Sequence, residues 1–287
     1  MAEILKGVEV ANAMKERLAA ENAALVAAGV TPCLAIVRVG ERPDDLAYER
    51  GALKRFEGLG IAVRVFSFPE DIGQDEFESE FEKINGDGSV HGILLFRPLP
   101  KTLDEEAVIK KIDPAKDMDC MCETNIAKVF AGDESGYAPC TPEGVVELLK
   151  HFEVPLKGSK VTLVGRSMVV GKPLAMLLLK QNATVTICHT RTADLAAECK
   201  AADILIAAAG AAKMIKAEHV KEGTVVIDVG INVDEDGNLC GDVDFDAVEP
   251  LASRITPVPG GVGSVTTSIL AMHVLRAAGK TVNRQTV

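Results

Sequence analysis

Tryptophan is absent from this 287-residue chain, tyrosine occurs twice and aromatic residues make up only 4% of it, so its cores must be filled by aliphatic side chains. No apolar run is long enough to span a bilayer, which excludes a membrane-spanning helix. Positive charge is also short: 31 Lys and Arg against 42 Asp and Glu give a net charge of −11. Such a surface repels phosphates, so no broad nucleic-acid or membrane interface is expected, although a local basic pocket stays open. Seven cysteines, an odd number scattered from Cys33 to Cys240, suit reduced thiols better than a disulfide framework. Cys120 and Cys122 are the only close pair; even with Cys140 they lack a second Cys or His pair at ligand spacing, so no metal site is expected. The opening Met-Ala-Glu-Ile-Leu-Lys-Gly has neither the basic nor the apolar block of a signal peptide, and a cytoplasmic address is expected.

What is present reads as an α/β protein of two domains, since the chain is longer than one hydrophobic core usually serves. Helical spacing from Val8 to Ala28 stops at Gly29 before the apolar run Cys33 to Val39. Helices near 45–59, 75–85 and 104–112 then alternate with strands near 62–66 and 93–96, which predicts a parallel sheet covered on both faces. Gly132-Asp-Glu-Ser-Gly136 is a polar loop, and Thr141-Pro142-Glu143 predicts a helix start with a capping hydroxyl and proline at the first position. The junction is placed there: residues 1–140 form the first domain and 141–265 a Rossmann-like nucleotide domain with strands near 161–164, 184–188, 203–207 and 225–228. A final helix begins at about Thr266, and segment 266–287 is expected to pack back on the first domain.

The stretch Lys160 to Pro173 carries the most chemistry. An apolar strand, Val161 to Val164, runs into a turn at Gly165, and Gly171 with Pro173 opens a helix. Amides at that helix start and its positive dipole end would hold a phosphate, strengthened by Arg166 and by the Ser167 hydroxyl; the alternative is a purely structural turn. The second strand of this series ends in His189-Thr190-Arg191, with no carboxylate before Asp194 to bind a ribose hydroxyl. Positive charge from Arg191 and Arg166 favours NADP over NAD, unless Arg191 is simply a solvated surface charge. Small residues collect at the ends of the next two strands, in Ala207-Ala-Ala-Gly210 and Val229-Gly230-Ile231-Asn232, where a ligand crevice is expected.

Five separated segments, in order, then resemble one family: Pro139-Cys-Thr-Pro142, the Gly165 to Pro173 loop, Val226-Ile-Asp-Val-Gly-Ile-Asn232, Gly241-Asp-Val243 and Thr256-Pro-Val-Pro-Gly-Gly-Val-Gly263. The family is the bifunctional methylenetetrahydrofolate dehydrogenase/cyclohydrolases, and the resemblance spans nearly the whole chain. It implies a folate-binding amino-terminal domain, a nucleotide-binding domain, a cleft between them, hydride transfer from methylenetetrahydrofolate to NADP, and a homodimer. It assigns Gly165, Arg166, Ser167, Thr190 and Ile231 to the nucleotide, to which the reading of the loop and strand ends adds Gly171, Arg191 and Gly210. Tyr48 matches the aromatic that packs on the folate and Asp119 the carboxylate that binds the pterin, the two carrying the catalytic site. Pro98, Gly260, Gly261 and Val262 would line the folate pocket. Read without the resemblance, Tyr48 is a half-buried aromatic and Asp119 a turn residue.

The chain departs from the family at one polar pair. The family's catalytic lysine, four residues after the tyrosine, is Ala52 here, and the glutamine that contacts it is Phe96. Lys54 points roughly 120° away around the helix and Arg55 sits roughly 10 Å along the axis from Tyr48. Asp45 replaces serine, Arg97 replaces leucine, and Cys120-Met121-Cys122 follows the aspartate. Orientation alone supplies much of the rate of hydride transfer, whereas hydrolysis of the methenyl product needs a positioned acid-base group worth about 10²–10⁴-fold. The expected activity is therefore an NADP-dependent dehydrogenase with weak or absent cyclohydrolase. Three alternatives stay open: a bifunctional enzyme in which Arg97, Arg55 or Lys54 substitutes for the lysine, a folate- or nucleotide-binding protein without turnover, and an NADP-linked reductase of another small molecule.

Overall fold

A computed structural model of the protein describes residues 1–282; residues 283–287 of the expected carboxy-terminal segment lie outside the described residues. In chain order the elements are β1 (Glu3–Ile4), α1 (Gly7–Ala27), β2 (Cys33–Val39), α2 (Pro43–Glu57), β3 (Ala62–Phe68), α3 (Gln74–Gly86), β4 (Gly92–Leu95), α4 (Glu105–Lys110) and α5 (Glu123–Ala131). There follow α6 (Cys140–His151), β5 (Lys160–Val164), α7 (Gly171–Lys180), β6 (Thr184–Cys188), α8 (Leu195–Lys200), β7 (Ile204–Ala207) and β8 (Val225–Asp228). The chain ends with β9 (Asn232–Val233), β10 (Leu239–Cys240), α9 (Phe245–Val248), β11 (Arg254–Ile255) and α10 (Thr266–Val282). The two-domain α/β architecture with a Rossmann-like parallel sheet is the one the alternation of strands and helices dictates.

The chain divides into two compact units, Met1–Asn12 with Pro139–Thr266, and Ala13–Ala138 with Thr267–Val287. This corrects the expected first domain of 1–140, because β1 pairs in parallel with β11 through Glu3↔Arg254 and Ile4↔Ile255, so the first residues belong with the carboxy-terminal sheet.

That sheet has six strands in the order β1-β11-β8-β7-β5-β6, all pairings parallel. β7 reads as an unbroken apolar run and β5, after its first residue, as one interrupted only by the buried Thr162, because both of their faces are covered, and Val161, Leu163, Ile204, Leu205 and Ile206 are buried. From β5 the chain steps outward to β6 and then back across to β7, so the order reverses between β5 and β7, the place where parallel sheets open a crevice for ligands. The helix expected to start at Thr141 begins at Cys140, with Pro139 in the capping position and no side-chain cap. Thr141 therefore sits inside the first turn rather than capping it.

The other unit carries a three-stranded parallel sheet in the order β3-β2-β4. Alternation divides β2 cleanly: Ala35, Val37 and Val39 join Phe77, Phe81, Ile93 and Leu95 in one core, which turns Leu34, Ile36 and Arg38 to the opposite face. On β4 and its extension the same rule turns Leu94 and Phe96 to that opposite face, where α2 lies. Helix α5 and the short strands β1, β9, β10 and β11 have no counterpart in the sequence reading.

Candidate active site

The phosphate loop is closed by its two glycines. A Cβ at Gly165, whose φ is +129°, would fall 2.1 Å from the Ala208 carbonyl oxygen, and one at Gly171 would fall 2.3 Å from the Gly165 carbonyl oxygen. The end of β5, the start of α7 and the turn after β7 therefore meet backbone to backbone, a contact only glycine permits. The helix-start amides are not left open as the sequence suggested. Val170 N–H and Gly171 N–H donate to Ser167 Oγ at 3.0 and 3.4 Å, and Lys172 N–H donates to the Ser167 carbonyl. With its lone pairs engaged, the Ser167 hydroxyl keeps one proton to donate outward. Arg166 is exposed beside it, and Thr190 and Arg191 are exposed at the tip of the turn after β6. That turn is fixed by His189, whose N–H donates to Thr192 Oγ1 at 2.9 Å and whose Nδ1 accepts from Arg191 N–H at 3.0 Å.

Two buried aspartates brace the neighbouring strand ends, and the sequence reading missed both roles. The Asp242 carboxylate accepts from the backbone N–H groups of Ala209, Gly210 and Ala211 at 2.6, 3.0 and 2.8 Å and from Asn232 Nδ2 at 2.9 Å. The Asp228 carboxylate accepts from Gly230, Asp242 and Val243 N–H at 2.9, 3.0 and 2.9 Å. Burial pushes the Asp228 carboxyl up to about 6, against the pull of those three amides. Each aspartate fills the space beside the other's glycine: a Cβ at Gly230 would lie 2.3 Å from Asp242 Oδ1, and one at Gly241 would lie 1.8 Å from Asp228 Oδ2. The available signal was a carboxylate next to glycine at the end of an apolar strand, Asp228-Val-Gly230 and Gly241-Asp242.

A cavity of about 250 Å³ is lined by Asp228 to Ile231, Leu239 and the turn from Pro257 to Ser264. It brings Ile231, 69% exposed, together with Gly260, Gly261 and Val262, two groups that the sequence reading had divided between cofactor and folate. Gly7 N–H donates to the Gly260 carbonyl at 2.9 Å, and a Cβ at Gly7 would fall 2.0 Å from the Gly261 carbonyl oxygen, so the start of α1 rests directly on this turn. The Val258–Pro259 peptide in the same turn is cis.

In the other unit Tyr48, Ala52 and Phe56 form one stripe of α2 at intervals of four residues. Ala52 and Phe56 are 0% exposed and Tyr48 is 36% exposed, so the stripe rises out of the core toward the start of the helix. Phe96, 8% exposed, meets the Tyr48 ring edge-on at 5.8 Å and 90°. Thus an aromatic contact and a buried methyl occupy the lysine and glutamine positions of the family pattern. Of the substitute cations weighed above, Lys54 is exposed, Arg97 pairs with Glu105 at 3.4 Å, and Arg55 is half-buried, its guanidinium disfavoured by burial. Pro98 is exposed, follows a cis peptide, and its carbonyl accepts from Arg42 Nη1 at 3.1 Å.

Asp119 sits in a turn whose backbone is pinned on both sides. The buried Asp117 carboxylate accepts from Met121 N–H, Cys122 N–H and Asn125 Nδ2 at 2.9, 2.9 and 3.0 Å. His273 Nδ1 lies 2.8 Å from the Met118 carbonyl oxygen, and Cys120 adopts φ +59°. Burial and nearby carboxylates push the Cys122 thiol up to about 11 and Cys120 higher still, so neither is a thiolate at neutral pH. Among the described residues no cluster of His, Cys, Asp or Glu is arranged to hold a metal ion, and no helix is long and apolar enough to cross a membrane.

This arrangement of loops has known counterparts. Residues 139–282 match the tetrahydrofolate dehydrogenase/cyclohydrolase NAD(P)-binding domain, and residues 5–119 match the catalytic domain of the same family. The chain belongs to the tetrahydrofolate dehydrogenase/cyclohydrolase family. A protein of Clostridioides difficile (strain 630) named bifunctional protein FolD is 58% identical over 96% of each chain. The crystal structure of the bifunctional enzyme FolD from Campylobacter jejuni superposes with a TM-score of 0.94 at 39% identity, covering 98% of this chain and 100% of that one. A Trypanosoma brucei FolD structure, complexed with NADP cofactor and inhibitor, superposes with a TM-score of 0.91 at 35% identity over 98% of each chain.

For a member of this family the nucleotide end fits its cofactor on the chemistry of its donors. The Gly165–Gly171 loop is folded tightly on its own backbone by its two glycines, and around it Ser167, Arg166 and Arg191 supply a hydroxyl donor and two cations suited to phosphate.

Proposed function

We propose that this chain is an NADP-dependent methylenetetrahydrofolate dehydrogenase in which cyclohydrolase activity is weak or absent. The dehydrogenase half follows from membership of the family. The second half rests on this chain's own residues, and one observation carries it: Ala52 is sealed in the core and Phe96 packs its ring on Tyr48, so neither position holds an ionisable or proton-relaying group.

Bound NADP would supply the acceptor for the hydride that 5,10-methylenetetrahydrofolate loses on becoming 5,10-methenyltetrahydrofolate. The protein's own contribution is binding and orientation. Gly165 and Gly171 shape the turn that would hold the dinucleotide, Gly210 leaves open space beside it, Ser167, Arg166 and Arg191 would meet its phosphates, and Thr190 and Ile231 would flank it. Tyr48 offers a ring face to the pterin, Asp119 accepts from the ring's N–H donors, and Pro98, Gly260, Gly261 and Val262 shape the folate's surroundings. Water addition to the methenyl carbon requires a group that gives and takes protons, and that half of the chemistry is what Ala52 and Phe96 forgo.

Purified protein given methylenetetrahydrofolate and NADP should accumulate methenyltetrahydrofolate, read by its absorbance alongside NADPH. Formyltetrahydrofolate appearing as fast as NADPH would refute the one-reaction version. NADP preference is supported by the absence of any carboxylate between His189 and Ala193 and is checked by replacing NADP with NAD in the same assay. A cytoplasmic homodimer completes the proposal, supported by the family pattern and by cysteines that are all free and buried.

A further inference from the structure

Between Tyr48 and Ala52 of α2 and the sheet face that carries Phe96 lies one polar couple that neither the sequence motifs nor the family pattern assigned. Arg38, on β2, points to the same side as Phe96 of the neighbouring strand: Phe96 N–H donates to the Val37 carbonyl at 2.9 Å, which sets the two side chains abreast. Across from it on α2 stands Glu49, next to Tyr48 and one turn before Ala52. Arg38 Nε–H donates to Glu49 Oε2 at 3.0 Å and Arg38 Nη1–H donates to the Gly40 carbonyl at 2.7 Å. The two side chains keep only 12% and 13% of their surface, so the pair is largely desolvated.

Such a pair is a poor stabilising device, since apolar side chains of the same volume would serve a core as well or better. It is, however, a good way to fix a guanidinium. Nε and one Nη1 proton are occupied, and no protein acceptor engages Nη2 among the described residues; nor is Nη2 a sealed, unsatisfied atom. Asp45 lies close enough to Arg38 for its carboxyl to be pulled down by that charge, although burial, the larger effect, raises it, and Arg42 shares it at 3.8 Å. The guanidinium is therefore held by Glu49 and Gly40, screened by Asp45, and left with one edge of donors on the face where Glu49 adjoins Tyr48 in sequence and Phe96 packs on the Tyr48 ring.

We propose that Arg38 is a substrate-binding residue, its free guanidinium edge donating to the acceptor edge of the reduced pterin, with Glu49 as the positioning residue that holds it. This rests on the assignment of Tyr48 to the folate made above. It moves the pocket's polar couple from the lysine and glutamine positions to Arg38 and Glu49, and it changes what the couple does. A guanidinium orients an acceptor but does not pass protons at physiological pH, so the arrangement serves hydride transfer and leaves hydrolysis without its relay.

The test is Arg38→Met, Arg38→Lys and Glu49→Gln, each read by calorimetric binding of tetrahydrofolate, by KM for methylenetetrahydrofolate and for NADP, and by Tm. Arg38→Met should weaken folate binding and raise its KM about ten- to hundredfold, the loss of one charge-assisted hydrogen bond, with the KM for NADP within about twofold of wild type. Arg38→Lys should recover part of the loss and Glu49→Gln should fall between. Folate affinity unchanged in Arg38→Met overturns the proposal. So does a fall in Tm with folate and NADP constants shifting together, which would mark a structural pair only. Were the wild type to bind tetrahydrofolate without oxidising its methylene derivative, the activity assigned above would fail while the calorimetry still judged Arg38.

Discussion

A methyl group and a phenyl ring stand in this chain where the family pattern has an amine and an amide, and their surroundings decide what substitution there would do. Ala52 is 0% exposed, so Ala52→Lys forces a long stem and a charge into filled space. It should cost about 1–3 kcal/mol from overpacking alone, measured by chemical denaturation, and should not by itself restore hydrolysis, because Phe96 offers the amine no acceptor. The double variant Ala52→Lys/Phe96→Gln should hydrolyse methenyltetrahydrofolate faster than either single one; equal rates in all three would contradict the pairing. Asp228 gives a second residue-level outcome. Its carboxyl, raised to about 6, binds its proton more tightly folded than unfolded. Its contribution to stability is thus fully present below about 4 and is lost as pH rises through about 6. Carboxyl carbon shifts followed by NMR should show a midpoint near 6, and a midpoint below 4 would be inconsistent with this burial. Ala52 and Phe96 were legible only by resemblance. The partners of Asp242 were not legible, although its place beside Gly241 was, because the amides it collects at Ala209 to Ala211 lie more than thirty positions away in sequence.

Among elements, the phosphate loop depends on backbone closing on backbone. Gly171→Ala places a methyl 2.3 Å from the Gly165 carbonyl oxygen, so α7 must shift away from β5. The KM for NADP should rise at least about tenfold while folate binding holds within about twofold, since the substitution touches only the nucleotide unit. Unchanged KM for NADP would mean that the loop does not carry the phosphates. Long elements announced themselves here: β2 is seven residues, all apolar except Arg38, and α2 opens on proline with Asp44 and Asp45 in its first turn. Two-residue strands such as β1 and β11 are too short to show any period, and their pairing comes from residues about 250 positions apart. The start of α6 was misplaced because Thr141-Pro142 has the composition of a cap, whereas the preceding Pro139 already takes the extended conformation that ends the loop.

At the scale of the molecule, the alternation of strands and helices gave the α/β class and the parallel sheets, while the grouping of Met1–Asn12 with the carboxy-terminal sheet is a tertiary fact with no local signature. The proposed function turns on one asymmetry: the residues assigned to the ligands match the family pattern, whereas Ala52 and Phe96, at the positions of its proton-handling pair, pack as apolar side chains. The most direct measurement gives the purified enzyme methenyltetrahydrofolate alone and follows the loss of its absorbance, using a preparation already shown to reduce NADP with methylenetetrahydrofolate. The account predicts decay at the rate of buffer without protein. An acceleration of the order of 10²–10⁴-fold, the contribution of a working acid-base group, would contradict it.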